Sequence, residues 1–417
     1  MRESFLLAAR ALVRGHVLTL LLAAIALIHW LLPAVVRGDG TESGWREMFL
    51  RAVPGASVAV VLVTVLACAC GALAREREAH RLSLTMVRPA SAFRVMAGRW
   101  LALCGLAALA LFANAALTAF RCREAPDCRH HHAPRLPPPA EVAQKMLEEY
   151  LRDPNTPEAV RKAPRRAVLA LLTNKESDRY DVIPPGGSMA WPFAELGPHA
   201  GDGNGAGLSV RVCFASAYST RTPVVGRFSL GGAEATVSNE TQSVTDIPLR
   251  GQAPAEAELV FRNDGSESVM LRPRRDLELL APADSFLANL VRATVQSFAT
   301  VALLAAFGLF LSAALSRPVA VFTAIVLVAV ALMAPSAVAQ FPDELEVSLA
   351  NRIGLWLSRG VSTLTAAFAA PSPVSDLAIG KCVEWGSLAR TALEDIVLWP
   401  AAFLSLAAFV ARRHPLL

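Results

Sequence analysis

Long stretches without a single charged residue constrain this chain more than any other feature. A helix needs about 20 apolar residues to cross the hydrocarbon of a bilayer, and the sequence offers that length repeatedly. Val17–Val36 qualifies, although it contains His29 and Pro33. Val53–Ala74, Trp100–Phe120, Ala293–Leu315 and Pro318–Gln340 carry no charge at all. The last run, Ile396–Ala411, is shorter, because Asp395 and Arg412 bound it. A sixth span is therefore expected to start near Thr391, with Glu394 and Asp395 at the membrane interface. Composition agrees with this reading. Of 417 residues, 54% are hydrophobic and 18% charged, against about 25% charged in soluble domains. A soluble cytosolic enzyme with one large core is excluded.

Arginines in the short connecting segments set the orientation. Arg2, Arg10 and Arg14 precede the first span against one acid, Glu3. The segment 75–99 holds Arg75, Arg77, Arg81, Arg88, Arg94 and Arg99 against Glu76 and Glu78. Arg317 sits in the turn between spans four and five, and Arg412 and Arg413 follow span six. With six alternating spans, all four segments fall on one side. The loop Arg37–Arg51 on the other side is balanced by Asp39, Glu42 and Glu47. Both termini are thus expected in the cytoplasm of a bacterial cell, with the chain crossing its inner membrane several times. No small-residue cleavage site follows the first run, so it is read as an uncleaved span. Only Lys145, Lys162, Lys175 and Lys381 among the 40 basic residues are lysine. The arginines flank hydrophobic runs instead of forming a basic face interleaved with aromatics, so a nucleic-acid partner is not expected.

Three regions result: residues 1–120 with spans one to three, an insert at 121–286 on the extracytoplasmic side, and residues 287–417 with spans four to six. The insert opens on a Pro-rich stretch ending at Pro137-Pro138-Pro139, read as a stiff stalk. Helices are expected over Ala140–Leu151 and Pro157–Leu172. Beyond Tyr180, Leu208–Phe214, Val224–Leu230, Ala235–Val237, Ala257–Phe261 and Val269–Leu271 read as short strands, with Asn263-Asp264-Gly265 as a turn between two of them. Strands at this spacing suggest a β-sandwich inside an α+β insert.

Few motifs carry chemistry. Cys122 and Cys128, with five residues between them, allow a small disulfide loop in an oxidising compartment. With His130, His131 and His132 beside them they also resemble soft metal ligands. Adjacent histidines cannot all address one ion, and the spacing fits no zinc pattern; a disulfide or no special role is the better reading. Cys68, Cys70 and Cys104 lie inside spans, Cys213 in a strand and Cys382 in the last outer loop. The Asp202–Gly207 stretch is glycine-rich but lacks the Lys-Ser/Thr of a phosphate loop, and precedes a strand. Asn239-Glu240-Thr241 matches a glycosylation sequon that occurs commonly by chance. No His-Glu-x-x-His, Gly-x-Ser-x-Gly or Cys-x-x-Cys is present, so no catalytic residue is assigned.

The segment 75–100 combines a charged helix extension, a turn at Arg88-Pro89 and a second helix leading into span three. Pro89 removes a donor and restricts Arg88, favouring a break. Leu82, Leu84, Met86, Phe93, Val95 and Met96 make this elbow amphipathic. Its order of Glu78, Leu82, Leu84, Arg88-Pro89-Ala90-Ser91 and Gly98-Arg99-Trp100 resembles the first cytoplasmic loop of ABC-2-type transporter permeases. His80-Arg81-Leu82 stands in place of that family's usual Gly-Thr-Leu. Phe307–Ala320 is similar to the turn between spans four and five of such permeases, and Val410–His414 to their arginine-rich ending.

The resemblance implies a six-helix transmembrane subunit that pairs with a second permease, identical or different, and with separate ATP-binding subunits. Glu78, Arg81, Arg88, Pro89, Ser91 and Arg94 would couple the spans to the ATPase. Met1–Arg14 would be an elbow helix on the inner leaflet, and residues 341–390 would hold outer re-entrant helices, Gly354–Ala369 being apolar enough. ATP and magnesium would belong to the partner, since this chain has no Gly-x-x-x-x-Gly-Lys-Ser/Thr and no cofactor is expected in it. The inserted domain departs from the family's usually short outer loop. It motivates a second reading, a membrane anchor presenting a β-domain for binding, sensing or assembly in the cell envelope. A membrane-embedded enzyme would need ionisable groups within the spans, of which His29 is the main candidate; beside Trp30 near the outer end of span one, however, it is expected to be an interfacial residue.

Overall fold

The first helix, α1 (Arg2–Arg14), is amphipathic. Leu12 turns toward the apolar core, while Leu6, Leu7 and Val13 are exposed. The chain reverses at Gly15-His16, where His16 takes a positive φ of 54°, and enters α2 (Val17–Val35). The computed structural model describes residues 2–35, 42–73, 92–123, 127–154, 163–193, 207–215, 223–250, 257–340 and 373–413. Long helices α3 (Glu42–Ala72) and α4 (Ala92–Arg121) follow. After the insert come α7 (Phe286–Ala314), α8 (Arg317–Gln340), the short α9 (Pro373–Ala378) and α10 (Trp385–Ala392). The last runs through a π-helical turn, Leu393–Leu398, into α11 (Trp399–Arg413).

Among the described residues, five stretches are helical, long and apolar enough to cross a membrane: Val17–Val35, Trp45–Ala72, Ala92–Arg121, Phe286–Ala314 and Trp385–Arg412. They overlap five of the expected runs and mostly extend beyond them. The remaining one, the fifth expected span Pro318–Gln340, lies in α8, whose described stretch Arg317–Ala329 is apolar but shorter than the other five. Phe112, 73% exposed, and Leu20, Trp30, Phe120, Phe322 and Phe409 turn outward. An outer surface this apolar is what lipid contact requires and what a water-soluble monomer avoids.

The helical unit is centred on α7, which packs against α3, α4 and α11. The core between these helices is rich in small residues, including Ala69, Ala107, Ala110, Ala305, Ala306 and Ala407. Small side chains let helix backbones approach where lipid offers no hydrophobic drive. At Gly308 a Cβ would lie 2.8 Å from the Ala69 methyl and 3.2 Å from Leu66 Cδ1. Side-chain to backbone bonds tie the helices further. Trp100 Nε1 donates to Ala302 O at 2.8 Å, and the Leu73 amide donates to Ser312 Oγ at 3.0 Å.

The β-rich unit, Asp127–Asp284, holds ten strands and two helices among its described residues. In chain order these are β1 (Arg129–His132), α5 (Pro139–Arg152), α6 (Arg165–Ser177), β2 (Asp181–Ile183), β3 (Ser188–Phe193) and β4 (Ser209–Cys213). Then follow β5 (Pro223–Leu230), β6 (Ala233–Glu240), β7 (Val244–Pro248), β8 (Ala257–Asn263), β9 (Val269–Leu271) and β10 (Leu277–Pro282). Two four-stranded antiparallel sheets, β1-β10-β4-β7 and β3-β8-β5-β6, accompany the pair β2-β9. Alternation along β5 buries Val224, Gly226, Phe228 and Leu230. Phe228, Phe261 and Trp191 from one sheet share a core with Val210, Val212, Leu277 and Leu279 from the other. Two sheets closed over one core match the expectation of a sandwich. Helices α5 and α6 pack on each other through Ala143, Leu147 and Leu172.

Several details of the insert correct the expectation. The stretch read as a stalk contributes an edge strand: β1 pairs with β10 from Arg129↔Pro282 to His132↔Leu279. The pairing continues as Cys128 N–H donates to Asp284 O at 2.9 Å and Ala283 N–H to Cys128 O at 3.0 Å. The two ends of the insert therefore run side by side. Pro139 opens α5, since a first-turn proline sacrifices no helical hydrogen bond. Of the helix expected over Pro157–Leu172, positions 157–162 lie outside the described residues, and a helix spans Arg165–Ser177, starting after Pro164. Strands β2, β3, β7 and β10 add to those expected. The Asn263-Asp264-Gly265 turn holds: Asn263 Nδ2 donates to Ile183 O (3.1 Å) and Glu267 O (2.8 Å), and its Oδ1 accepts from Gly265 N–H (3.0 Å).

Candidate functional site

An apolar bundle makes every buried polar side chain costly unless it is paired. The described spans contain a small set of such groups, among them His29, Ser57, Asn114, Thr118, Asn289, Arg292 and Ser297. On α2, Leu21, Ile25 and His29 recur every four residues and face inward, each buried. His29 Nδ1 lies 3.1 Å from Ile25 O. A carbonyl only accepts, so that nitrogen carries the proton. His29 Nε2 lies 3.4 Å from Thr118 Oγ1, whose hydroxyl donates to Asn114 O at 2.8 Å. The imidazole edge meets the Phe49 ring, with centroids 6.3 Å apart. His29 is thus a packed, hydrogen-bonded interior residue and not the interfacial side chain that its neighbour Trp30 suggests.

One turn from Thr118, the buried Asn114 presents Oδ1 without a hydrogen-bond partner among the described residues, and Ser57 Oγ on α3 likewise has none among them. Asn114 lines a cleft of about 20 Å³ together with Pro54, Val58, Leu290, Thr294, Ser297 and Leu377. That volume admits one water-sized group. Thr294 Oγ1 donates to Leu290 O at 2.7 Å and Ser297 Oγ to Ala293 O at 2.9 Å. Both hydroxyl protons are spent on their own helix, so these oxygens face the cleft as acceptors. With Asn114 Oδ1 they favour a donor such as water, a hydroxyl or an amine.

A second polar group anchors the segment before α10. Asn289 Nδ2 donates to Lys381 O and Oδ1 accepts from Val383 N–H, both at 2.8 Å. Arg292 Nη1 donates to Val383 O at 2.8 Å, and its guanidinium lies 5.0 Å from the centre of the Trp385 ring. These bonds clamp residues 381–385 to α7, a structural task with neutral acceptors and an aromatic face.

Of the residues expected to couple to an ATPase, Glu78, Arg81, Arg88, Pro89 and Ser91 lie outside the described residues, as do positions 341–372 of the expected re-entrant region. Arg94 is exposed in the first turn of α4, whereas Arg99 on the same helix is buried. Cys122 packs beside Phe49, Leu50 and Phe286, and burial pushes its thiol up to about 11. Cys128 lies on the β1–β10 ladder. All seven cysteines are free thiols. The three histidines do not converge. His131 Nδ1 meets Glu278 Oε2 at 2.8 Å with the imidazole 4% exposed, while His130 and His132 flank each other with rings 6.4 Å apart. Strand alternation sends the middle one to the opposite face. No group of three metal-binding side chains occurs among the described residues.

Sequence reasoning singled out His29 but missed Ser57, Asn114, Asn289 and Arg292. Asn114 and Thr118 had a usable signal, since they are four residues apart in an otherwise apolar run and share a helix face. No protein-family model, curated protein or solved structure matches this chain.

Proposed function

We propose that this chain is the membrane permease subunit of an ABC-2-type, ATP-driven transporter in a bacterial inner membrane. In this reading the termini are cytoplasmic and the β-rich unit is extracytoplasmic. The observation that carries it is the acceptor-lined cleft at Asn114, Thr294 and Ser297. Uncompensated polar groups inside a bundle cost stability and mark pathways for polar solutes. The amphipathic α1 adds support by packing against α4, the helix that begins where the arginine-rich loop ends. Energy would come from a separate ATP-binding protein with its own ATP and magnesium, docked on the loop that includes Arg88 and Arg94. A second permease chain would complete the complex.

The test is co-purification of the full chain from its native membrane. A bound ATP-binding-cassette protein is expected, and alanine at Arg88, Ser91 and Arg94 together is expected to release it while the chain stays in the membrane. Purification of the intact chain without any ATPase, or an ATPase unaffected by the triple change, overturns the reading. The β-rich unit, with its own core and its ends zipped by β1 and β10, favours one competitor: an anchor presenting a binding or assembly domain in the envelope. That reading predicts that the triple change is harmless to cellular function.

A further inference from the structure

Adjacent acids in the last candidate span have opposite surroundings. Glu394 is half-exposed, and its Oε1 accepts from Arg390 Nε at 2.8 Å, one turn back. Asp395 is 3% exposed. It was expected at the membrane interface beside Glu394, but the structure turns it inward. Consecutive residues of a helix stand about 100° apart, so the two acids meet different surroundings, and both fall in Leu393–Leu398, a π-helical turn inside an otherwise α-helical run from Trp385 to Arg413. Such a turn inserts one residue into the ladder, shifts the register of the helix beyond it, and is frequent at functional positions.

Among the described residues no hydrogen bond or ion pair reaches Asp395. The charged groups around it are accounted for on every packed element. On its own helix, Arg390 is engaged by Glu394. On α7, which packs against the π-turn, the one charged side chain is Arg292, engaged by Val383 O and the face of Trp385. On α11 the charges are Arg412 and Arg413, at its far end. An ionised carboxylate enclosed by apolar helices without a counter-ion is costly, and protonation removes that cost.

We propose that Asp395 is a proton-binding site within the bundle: a carboxyl that holds a proton inside the membrane and releases it when the surroundings become alkaline or admit water. The ligand is a proton and not a metal ion, since no group of three carboxylate, histidine or cysteine side chains gathers among the described residues. The proposal is independent of the ATPase, and a chain that purifies alone can still carry such a site.

Full-length protein in liposomes is treated with dicyclohexylcarbodiimide, which partitions into bilayers, and in parallel with a water-soluble carbodiimide. In the reaction the carboxyl proton moves to a carbodiimide nitrogen while a carboxyl oxygen bonds the central carbon, so a protonated carboxyl is required. Peptide mass spectrometry should find the apolar reagent on Asp395. The rate should fall as the pH is raised and the proton is lost. The water-soluble reagent should modify Glu394 and spare Asp395. Asp395→Asn should abolish the label, and Glu394→Gln should preserve it. Site mapping on the unmodified chain carries the result even if Asp395→Asn fails to fold. No label on Asp395, a rate independent of pH, or equal modification by the water-soluble reagent overturns the proposal.

Discussion

The helical unit places Gly308 against Ala69, and its core is lined by alanines. The β-rich unit fills its core with Trp191, Phe214, Phe228 and Phe261, the last three rings having centroids 4.8–6.3 Å apart. The outsides are reversed as well. Phe112 and Phe322 face outward from the helices, whereas Arg211–Asp246 and Arg227–Asp264 pairs decorate the sheets. A chain surrounded by lipid gains little by burying large apolar groups, so its helices associate through close backbone packing. A domain in water gains about 25 cal/mol for each Å² of apolar surface removed, and large rings supply the most area. The two units therefore have different points of failure.

The largest expected effect tests that difference. Phe261→Ala removes a fully buried ring that touches Phe214 and Phe228. A Phe to Ala change in a core costs about 3–5 kcal/mol, a large share of the roughly 5–15 kcal/mol that holds a domain together. Limited proteolysis should show fragments from 127–284 appearing early, with the membrane helices still protected. Simultaneous loss of both regions would show that the bundle depends on the sheet domain and would break the comparison.

Two glycines sharpen it. At Gly226 in β5 an added Cβ would stand 2.5 Å from Arg262 O and 2.6 Å from Phe261 Cζ. Arg262 O belongs to a paired strand that cannot retreat without losing the ladder. At Gly308 the nearest atom is the Ala69 methyl on a helix that can slide slightly. Overpacking costs about 1–3 kcal/mol, so Gly226→Ala is expected near the upper end and Gly308→Ala near the lower. Denaturation midpoints of the two variants, compared with the parent, decide it. Equal losses would mean that the helices are held as rigidly as the strands.

How far the sequence reveals these regions depends on what each element rests on. Spans show themselves through length and absence of charge, which are local, and five of them coincide with long apolar helices. Strands such as Val224–Leu230 show through alternation. β1 does not, because Arg-His-His-His has no apolar period, and its place is fixed by β10, almost the whole insert away in the chain. β3 is masked by Pro192, which a strand tolerates only where its missing N–H is not needed. Asp395 escapes for a related reason. Glu394 and Asp395 stand about 100° apart on a helix, and which of the two turns inward is decided by the packing against α7, which is distant in the sequence. The coupling residues Glu78, Arg81, Arg88, Pro89 and Ser91 rest on motif order alone.

The smallest effect has the opposite sign and concerns the cleft. Asn114 Oδ1 is buried without a partner among the described residues, and such an acceptor carries a desolvation cost of about 1–3 kcal/mol. Asn114→Leu, close in volume, should therefore raise the thermal midpoint in detergent by the equivalent of about 1 kcal/mol. Thr118→Val provides the control, because it breaks the contacts to His29 Nε2 and Asn114 O and should lower the midpoint. If the cleft serves a polar solute, the stabilised Asn114→Leu chain should lose its cellular function while Thr118→Val retains more of it, since residues kept for function are often unfavourable for stability. A lowered midpoint for Asn114→Leu would show that the acceptor is satisfied in the membrane by a bound donor. The cleft would then be an occupied structural site, and the main support for a transport path through this bundle would be lost.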